Sequence, residues 1–197
     1  TRRSSDLGAL QRYMIYGSDF IRRTTLTDPA LQGLTSEQLL AKIGDLMGKQ
    51  HEVLYYGPQD EAEVKAALAA HHKVAADLQP LEKKFSTLQP TDENKVMLAQ
   101  YDAKQLYYMQ YSNRGEKFDL AADPQITLYN EYFGGGMNTI VFQEMREARG
   151  LAYSAWANLA IPTNAKGDYY YMAFIATQND KMQKAIEAFD EIINNMP

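Results

Sequence analysis

A chain of 197 residues fits one domain or two small ones, and its hydrophobic fraction of 45% is enough for a full-sized core. The formal charge of −5 argues against a nucleic-acid ligand, which calls for a clustered basic face, and no apolar run approaches the roughly 18 residues that span a bilayer. With no cysteine, thiol catalysis, disulfides and cysteine-ligated zinc are excluded together.

The first residue, Thr1, is not an initiator methionine, so the chain is expected to be a processed or excised piece of a longer protein. From Asp6 to Thr25 the apolar residues Leu7, Leu10, Met14 and Phe20 recur at roughly helical spacing, with Gly17 weakening the middle. A second helix follows Thr35, whose side chain together with Gln38 makes a capping box. Leu39, Leu40, Ile43, Leu46 and Met47 are its expected buried face, and Gly48 its stop. His51 to Pro58, "HEVLYYGP", reads as a short strand ended by Gly-Pro, and "QDEAEVKAALAAHHK" as a helix with acidic residues in its first turn. Asp77 to Pro90 reads as a surface connector.

Beyond Asn94 the pattern changes. "KVMLAQYD" and "KQLYYMQYSNRG" predict two strands, a candidate hairpin, and "DPQITLYNEYF" a helix. Gly134 to Gly136 come next, then Asn138 to Arg149 as a helix capped by Asn138. "LAYSAWANLAIP" and "GDYYYMAFIATQ" are two strands joined at "TNAKG", and a last helix opens near Asn179 or Asp180 and runs through Ile186, Phe189, Ile192 and Ile193. The adjacent tyrosines suggest strands with one wet and one packed face. Strands arriving in hairpins predict an α+β fold, an antiparallel sheet with helices packed on one face as a two-layer sandwich.

Few residues suggest chemistry by spacing alone. His51, His71 and His72 fit neither two histidines four apart nor H-x-x-E-H, and read as exposed polar residues. No G-x-S-x-G elbow marks a serine nucleophile, and no pair among the 25 acidic residues is singled out. "FGGGMNT" is glycine-rich but lacks the Gly-Lys-Ser/Thr of a phosphate loop and the preceding strand of a dinucleotide fingerprint. Its simpler role is to end one helix and let the next start at an angle. Arg146 and Arg149 sit where cations suit a helix C-terminus, Gly150 is the stop, and Tyr153 begins the next strand.

The stretch "YFGGGMNTIVFQEMREARGLAYSAWA" resembles the signature of the C-terminal-type, non-zinc domain of the insulinase/pitrilysin (inverzincin) zinc peptidases, and "HEVLYYGPQDEAEVKAAL" is similar to that family's preceding strand-plus-helix unit. The resemblance runs from about Gly33 to the C-terminus. It implies a domain over residues 33–197, with 1–32 the helical tail of a preceding segment. It also implies a zinc-dependent endopeptidase in which a homologous domain, in the same chain or a partner subunit, carries H-x-x-E-H and the zinc. This domain closes over that one. Arg146 and Tyr153, seven residues apart, match the arginine and tyrosine that such domains offer to the peptide substrate and its transition state. No zinc motif is present, so the resemblance implies no metal or cofactor in this piece and no cleavage by it alone. The alternative within the family is an inactive scaffold or partner subunit. An unrelated alternative is a peptide-binding module with "GDYYYMAFIATQ" as an open sheet edge. The sequence carries no address; exported bacterial members of the family point to the periplasm.

Overall fold

The computed structural model describes residues 2–81, 86–100 and 103–196. They form two compact units, one of Thr1–Arg23 with Ser86–Pro197 and the other of Thr24–Phe85.

The first unit is built on an antiparallel sheet of β1 (Gln105–Ser112), β2 (Ser154–Ala160) and β3 (Tyr170–Gln178), in the order β1-β3-β2. Pairing places Tyr108, Ile175 and Ala155 in one row and Met109, Phe174 and Trp156 in the next. Because side chains alternate across a strand, the two rows face opposite ways. The first row meets a helical layer of α5 (Asp123–Phe133), a single turn α6 (Ile140–Phe142) that continues into a π-helical stretch Gln143–Ala148, and α7 (Met182–Asn194). Phe133, Val141, Met145 and Phe189 from that layer are fully buried against Ala157, Ala173 and Ile175. Burying a side chain of this kind contributes about 1.5–3 kcal/mol, so this layer is where the unit is held together. α7 docks by spacing: Ala185, Ala188, Phe189 and Ile192 are buried along one stripe. The sheet with its helical layer is the α+β sandwich expected from the strand order.

On the other face Tyr107, Phe174 and Trp156 stack across all three strands, with ring centroids 5.7 and 5.8 Å apart. α1 (Arg2–Thr24), broken at Gly17, reaches this face where Gln11 Nε2 lies 4.0 Å from Met172 Sδ. The tyrosine pairs behave as expected: Tyr108 and Tyr171 pack towards the core while Tyr107 stays exposed.

Several local expectations need correction. β3 is the central strand, so "GDYYYMAFIATQ" offers no free edge and the edge-strand peptide module loses its basis. Residues 95–100 form no strand, and Val96 and Leu98 stand exposed; Tyr101 and Asp102 lie outside the described residues. Thr139, not Asn138, precedes α6, and its hydroxyl donates to the Gly136 carbonyl at 2.6 Å instead of accepting from the helix. The last helix starts later than expected: Asn179–Lys181 form a 3-10 turn, and the Asn179 side-chain amide donates to the Ala103 carbonyl at 3.4 Å instead of capping α7.

The second unit holds α2 (Asp28–Gln32), α3 (Ser36–Met47) and α4 (Glu61–His71). The Thr35–Gln38 capping box forms in both directions and Gly48 ends α3, as expected from the residues. Asp60 caps α4 by accepting from the Glu63 amide at 2.9 Å. Residues 51–58, expected as a strand, join no ladder, and Leu54 and Tyr56 are exposed. The expected buried face of α3 is exposed from Leu39 to Met47, because the described residues of this unit provide no layer for it. Its longest-range backbone links are Gln50 N–H to the Gln79 carbonyl and Gln79 N–H to the Gly48 carbonyl, both 2.8 Å.

Two of the three glycines in the run stand where a side chain would collide with backbone, Gly135 with a Cβ 2.8 Å from the Asn130 carbonyl oxygen and Gly134 more severely. A Cβ at Gly134 would stand 2.0 Å from the Ala157 carbonyl oxygen, whereas one at Gly136 would meet nothing within 4 Å. Gly134→Ala is therefore expected to lower stability by about 3 kcal/mol or more, since overpacking on backbone cannot relax by a rotamer change. Gly136→Ala should stay within about 0.5 kcal/mol. Thermal denaturation of the two variants checks the contrast.

Candidate functional site

Arg146 lies in the π-helical stretch and Tyr153 immediately before β2. The chain turns between them at Gly150, whose φ of 58° is the left-handed conformation that suits glycine. Three amides close the turn: Gly150 donates to the Arg146 carbonyl at 3.2 Å, and Leu151 and Ala152 both donate to that of Met145, at 2.9 and 3.1 Å. The Tyr153 amide then joins the sheet through the Ala176 carbonyl at 2.8 Å, one residue before the ladder proper. Thr177 Oγ1 reinforces this by donating to the Leu151 carbonyl at 2.5 Å.

The result brings the two predicted site residues together. The guanidinium carbon of Arg146 lies 5.5 Å from the centre of the Tyr153 ring and 5.0 Å from that of Phe142. Both distances are within cation–π range. Tyr153 is 70% exposed, and its hydroxyl has no hydrogen-bond partner among the described residues. Among those residues the one carboxylate beside Arg146 is Glu147, at 3.6 Å from Nε, which leaves the terminal nitrogens open to a ligand. A phenol O–H and a guanidinium edge thus share one exposed ridge, and both donate. Such a pair is suited to oxygen acceptors of an extended backbone or to developing negative charge.

Arg149, three residues on, is used differently. It donates to Glu191 of α7 at 2.7 Å and to Glu144 at 3.4 Å. Those contacts raise its pKa, led by the Glu191 hydrogen bond, and Arg149 in turn holds the Glu191 carboxyl below its usual range. Lys181 donates to the Gly150 carbonyl at 3.1 Å from the same side. Together they fasten the turn to α7. By spacing alone Arg149 has only a helix-dipole role. Its Glu144 partner sits at i−5, a spacing that faces across a π-turn but not an α-helix, and the Arg149 amide likewise bonds the Glu144 carbonyl at 3.2 Å. On an α-helix the two side chains would diverge, so the sequence carries no signal for that pair.

No group of three or more His, Cys, Asp or Glu is arranged to hold a metal ion among the described residues, and no helix there is long and apolar enough to cross a membrane. Residues 33–196 match the family described as the peptidase M16 inactive domain. The chain belongs to this family. The assignment agrees with the insulinase/pitrilysin resemblance of "YFGGGMNTIVFQEMREARGLAYSAWA" and identifies the sheet unit as part of an M16 fold. The crystal structure of a peptidase M16 inactive domain from Pseudomonas fluorescens is similar at 20% identity and a TM-score of 0.56, over 86% of this chain and 41% of that one. The M16 chain therefore spans less than half the length of that relative. No curated protein matches it.

The Arg149–Glu191 pair makes a pH prediction for this M16 domain. A carboxyl whose pKa is lowered on folding contributes stability that is complete above its unfolded value, about 4.3, and is lost as pH falls through the lower folded value. Glu191→Gln is expected to melt earlier than the wild type at neutral pH. The difference should close once acid has protonated the wild-type carboxylate, which melting curves across the acid range would show.

Proposed function

We propose that this chain is the non-zinc domain of a zinc-dependent endopeptidase, closing over a zinc-bearing domain and presenting Arg146 and Tyr153 to the bound peptide. The observation that carries the reading is the single exposed ridge on which both donors stand, 5.5 Å apart as cation and ring, with the phenol hydroxyl uncommitted. The family match supports it by placing the chain among M16 domains described as inactive, in which the cleaving centre is not expected. The residues of this chain do not fit a catalytic zinc: H-x-x-E-H is absent from the sequence. The metal and its chemistry are assigned to the other domain, in the same polypeptide or in a partner subunit. The part assigned to this chain is binding and charge stabilisation. Arg146 offers a planar fork of N–H donors to substrate carbonyls. Tyr153 offers a compact O–H to the oxygen on which charge grows as the scissile carbonyl is attacked. Residues 33–197 form the proposed domain and 1–32 the end of the segment before it, a division supported by the start of the family match.

The inactive-scaffold reading predicts the same fold but no effect of these two side chains on turnover. The test uses the longer protein or the reconstituted pair. Tyr153→Phe is expected to lower kcat on the order of a hundredfold with little change in KM, because it removes one donor to developing charge. Arg146→Ala is expected to raise KM as well as lower kcat. The 197-residue chain alone should cleave no peptide. Full activity in both variants would favour the scaffold.

A further inference from the structure

Two imidazoles from distant parts of the 24–85 unit meet end to end. His51 follows the segment that leaves α3, and His72 caps the C-terminus of α4. Their Nε2 atoms are 2.7 Å apart, with ring planes at 88° and centroids 5.0 Å apart. That centroid separation is close to the largest a 2.7 Å N–N contact permits, so each nitrogen points nearly straight at the other. His51 Nδ1 lies 2.6 Å from the Lys49 carbonyl oxygen. A carbonyl only accepts, so Nδ1 carries a proton, and the neutral His51 ring presents a bare Nε2 lone pair. One proton, on His72, then lies between the two nitrogens.

This is also how protein imidazoles are commonly held for a metal: the far N–H is given to a backbone carbonyl, which fixes the tautomer and the direction of the free lone pair. We propose that His51 and His72 form a two-imidazole site for a divalent first-row transition ion of the Zn2+ or Cu2+ type, with solvent completing its coordination. The ion takes the place of the shared proton, and His72 moves that proton from Nε2 to Nδ1. With Zn–N bonds of about 2.0–2.1 Å, tetrahedral ligands stand about 3.3 Å apart. The nitrogens therefore need to part by about 0.6 Å, and the rings, which stand head-on, to swing until both lone pairs converge on the ion at the tetrahedral angle, a movement open to His51, which is exposed, and His72, which is half-buried. No third protein ligand is at hand among the described residues, so the site is an open, two-donor one and ranks ions by intrinsic affinity, Cu2+ above Zn2+. An ion here would clip the chain after α3 to the end of α4. In this unit α2, α3 and α4 bury no side chain, and two backbone hydrogen bonds to Gln79 do the long-range fastening. The site is independent of the proposed peptidase role.

The test titrates the 197-residue chain with Zn2+ and Cu2+ salts by calorimetry and follows melting. One ion per chain and a raised melting temperature are expected. His51→Ala and His72→Ala should each weaken binding by more than about tenfold, while His71→Ala, one residue away, leaves it unchanged. Electron paramagnetic resonance of the Cu2+ form of the wild type should show coupling to two nitrogens, a readout that does not depend on any variant folding. No uptake at millimolar ion, coupling to fewer than two nitrogens, or binding that survives both His51→Ala and His72→Ala would overturn the site.

Discussion

The peptide amide of Ala157, in the middle of β2, donates to the carbonyl of Gly134 at 3.1 Å, and the α-carbon of that glycine rests on the strand with no room for a methyl group. The contact fixes the end of α5, and with it the start of the chain that leads to α6, against β2. Asn130, one turn earlier on α5, extends it: the side-chain amide accepts from and donates to the backbone of Leu159, each at 2.9 Å. Those bonds occupy the outer edge of β2 much as another strand would, so the edge is closed without a fourth strand. The small residues beneath, Ala155, Ala157 and Ala173, make the close approach possible, and Phe133, Val141 and Phe189 fill the space that remains. A bulky residue at any of these alanines would lift the layer and move the Gly150 turn with it.

From that fixed point the chain has to bring a helical residue and a pre-strand residue to one ridge. The π-helical stretch and the Gly150 turn do this jointly. A π-turn spends an extra residue per hydrogen bond and so rotates the residues after it relative to an α-helix. Gly150 then reverses the chain in a conformation open to few other residues. The turn is not left to the local backbone alone: Thr177 from β3, Lys181 from the 3-10 turn and Glu191 from α7 each hold it by a side chain. Three separate elements therefore converge on three consecutive residues, Arg149 to Leu151, more restraint than a plain helix end calls for.

Legibility in the sequence tracks the range of the forces involved. The Thr35–Gln38 capping box, the Gly48 and Gly150 stops and the buried stripe of α7 all depend on neighbours within a turn or two, and all are readable from spacing. The order of strands is readable as a fold class because the Tyr-rich alternations each bury one face. Where the outcome depends on a distant partner, spacing misleads. "HEVLYYGP" has strand propensity, but a ladder needs a second strand and the described residues give it none. α3 carries an apolar stripe and a full cap, yet nothing in the described residues of its own unit covers the stripe. His51 and His72, 21 residues apart in the sequence, show no motif spacing, and only the folded unit puts their nitrogens face to face.

The same distinction separates the two arginines. By spacing alone Arg146 and Arg149 are equivalent, two cations near the end of one helix. In the structure Arg149 is engaged by two carboxylates, and drawing it away would leave Glu144 and Glu191 without their cation. Arg146 rests instead on the Phe142 and Tyr153 rings, contacts worth about 0.5–1 kcal/mol each at exposed sites. That is enough to restrict the side chain to a few rotamers and too little to compete with a backbone carbonyl or a growing negative charge. A guanidinium held this way gives up less freedom on binding than one waving in solvent. It also breaks no strong ion pair to do so. Of the two, Arg149 is therefore the one that keeps the turn in place and Arg146 the one left available, as the proposed role requires, a division that the shared helix end conceals and the i−5 reach to Glu144 reveals.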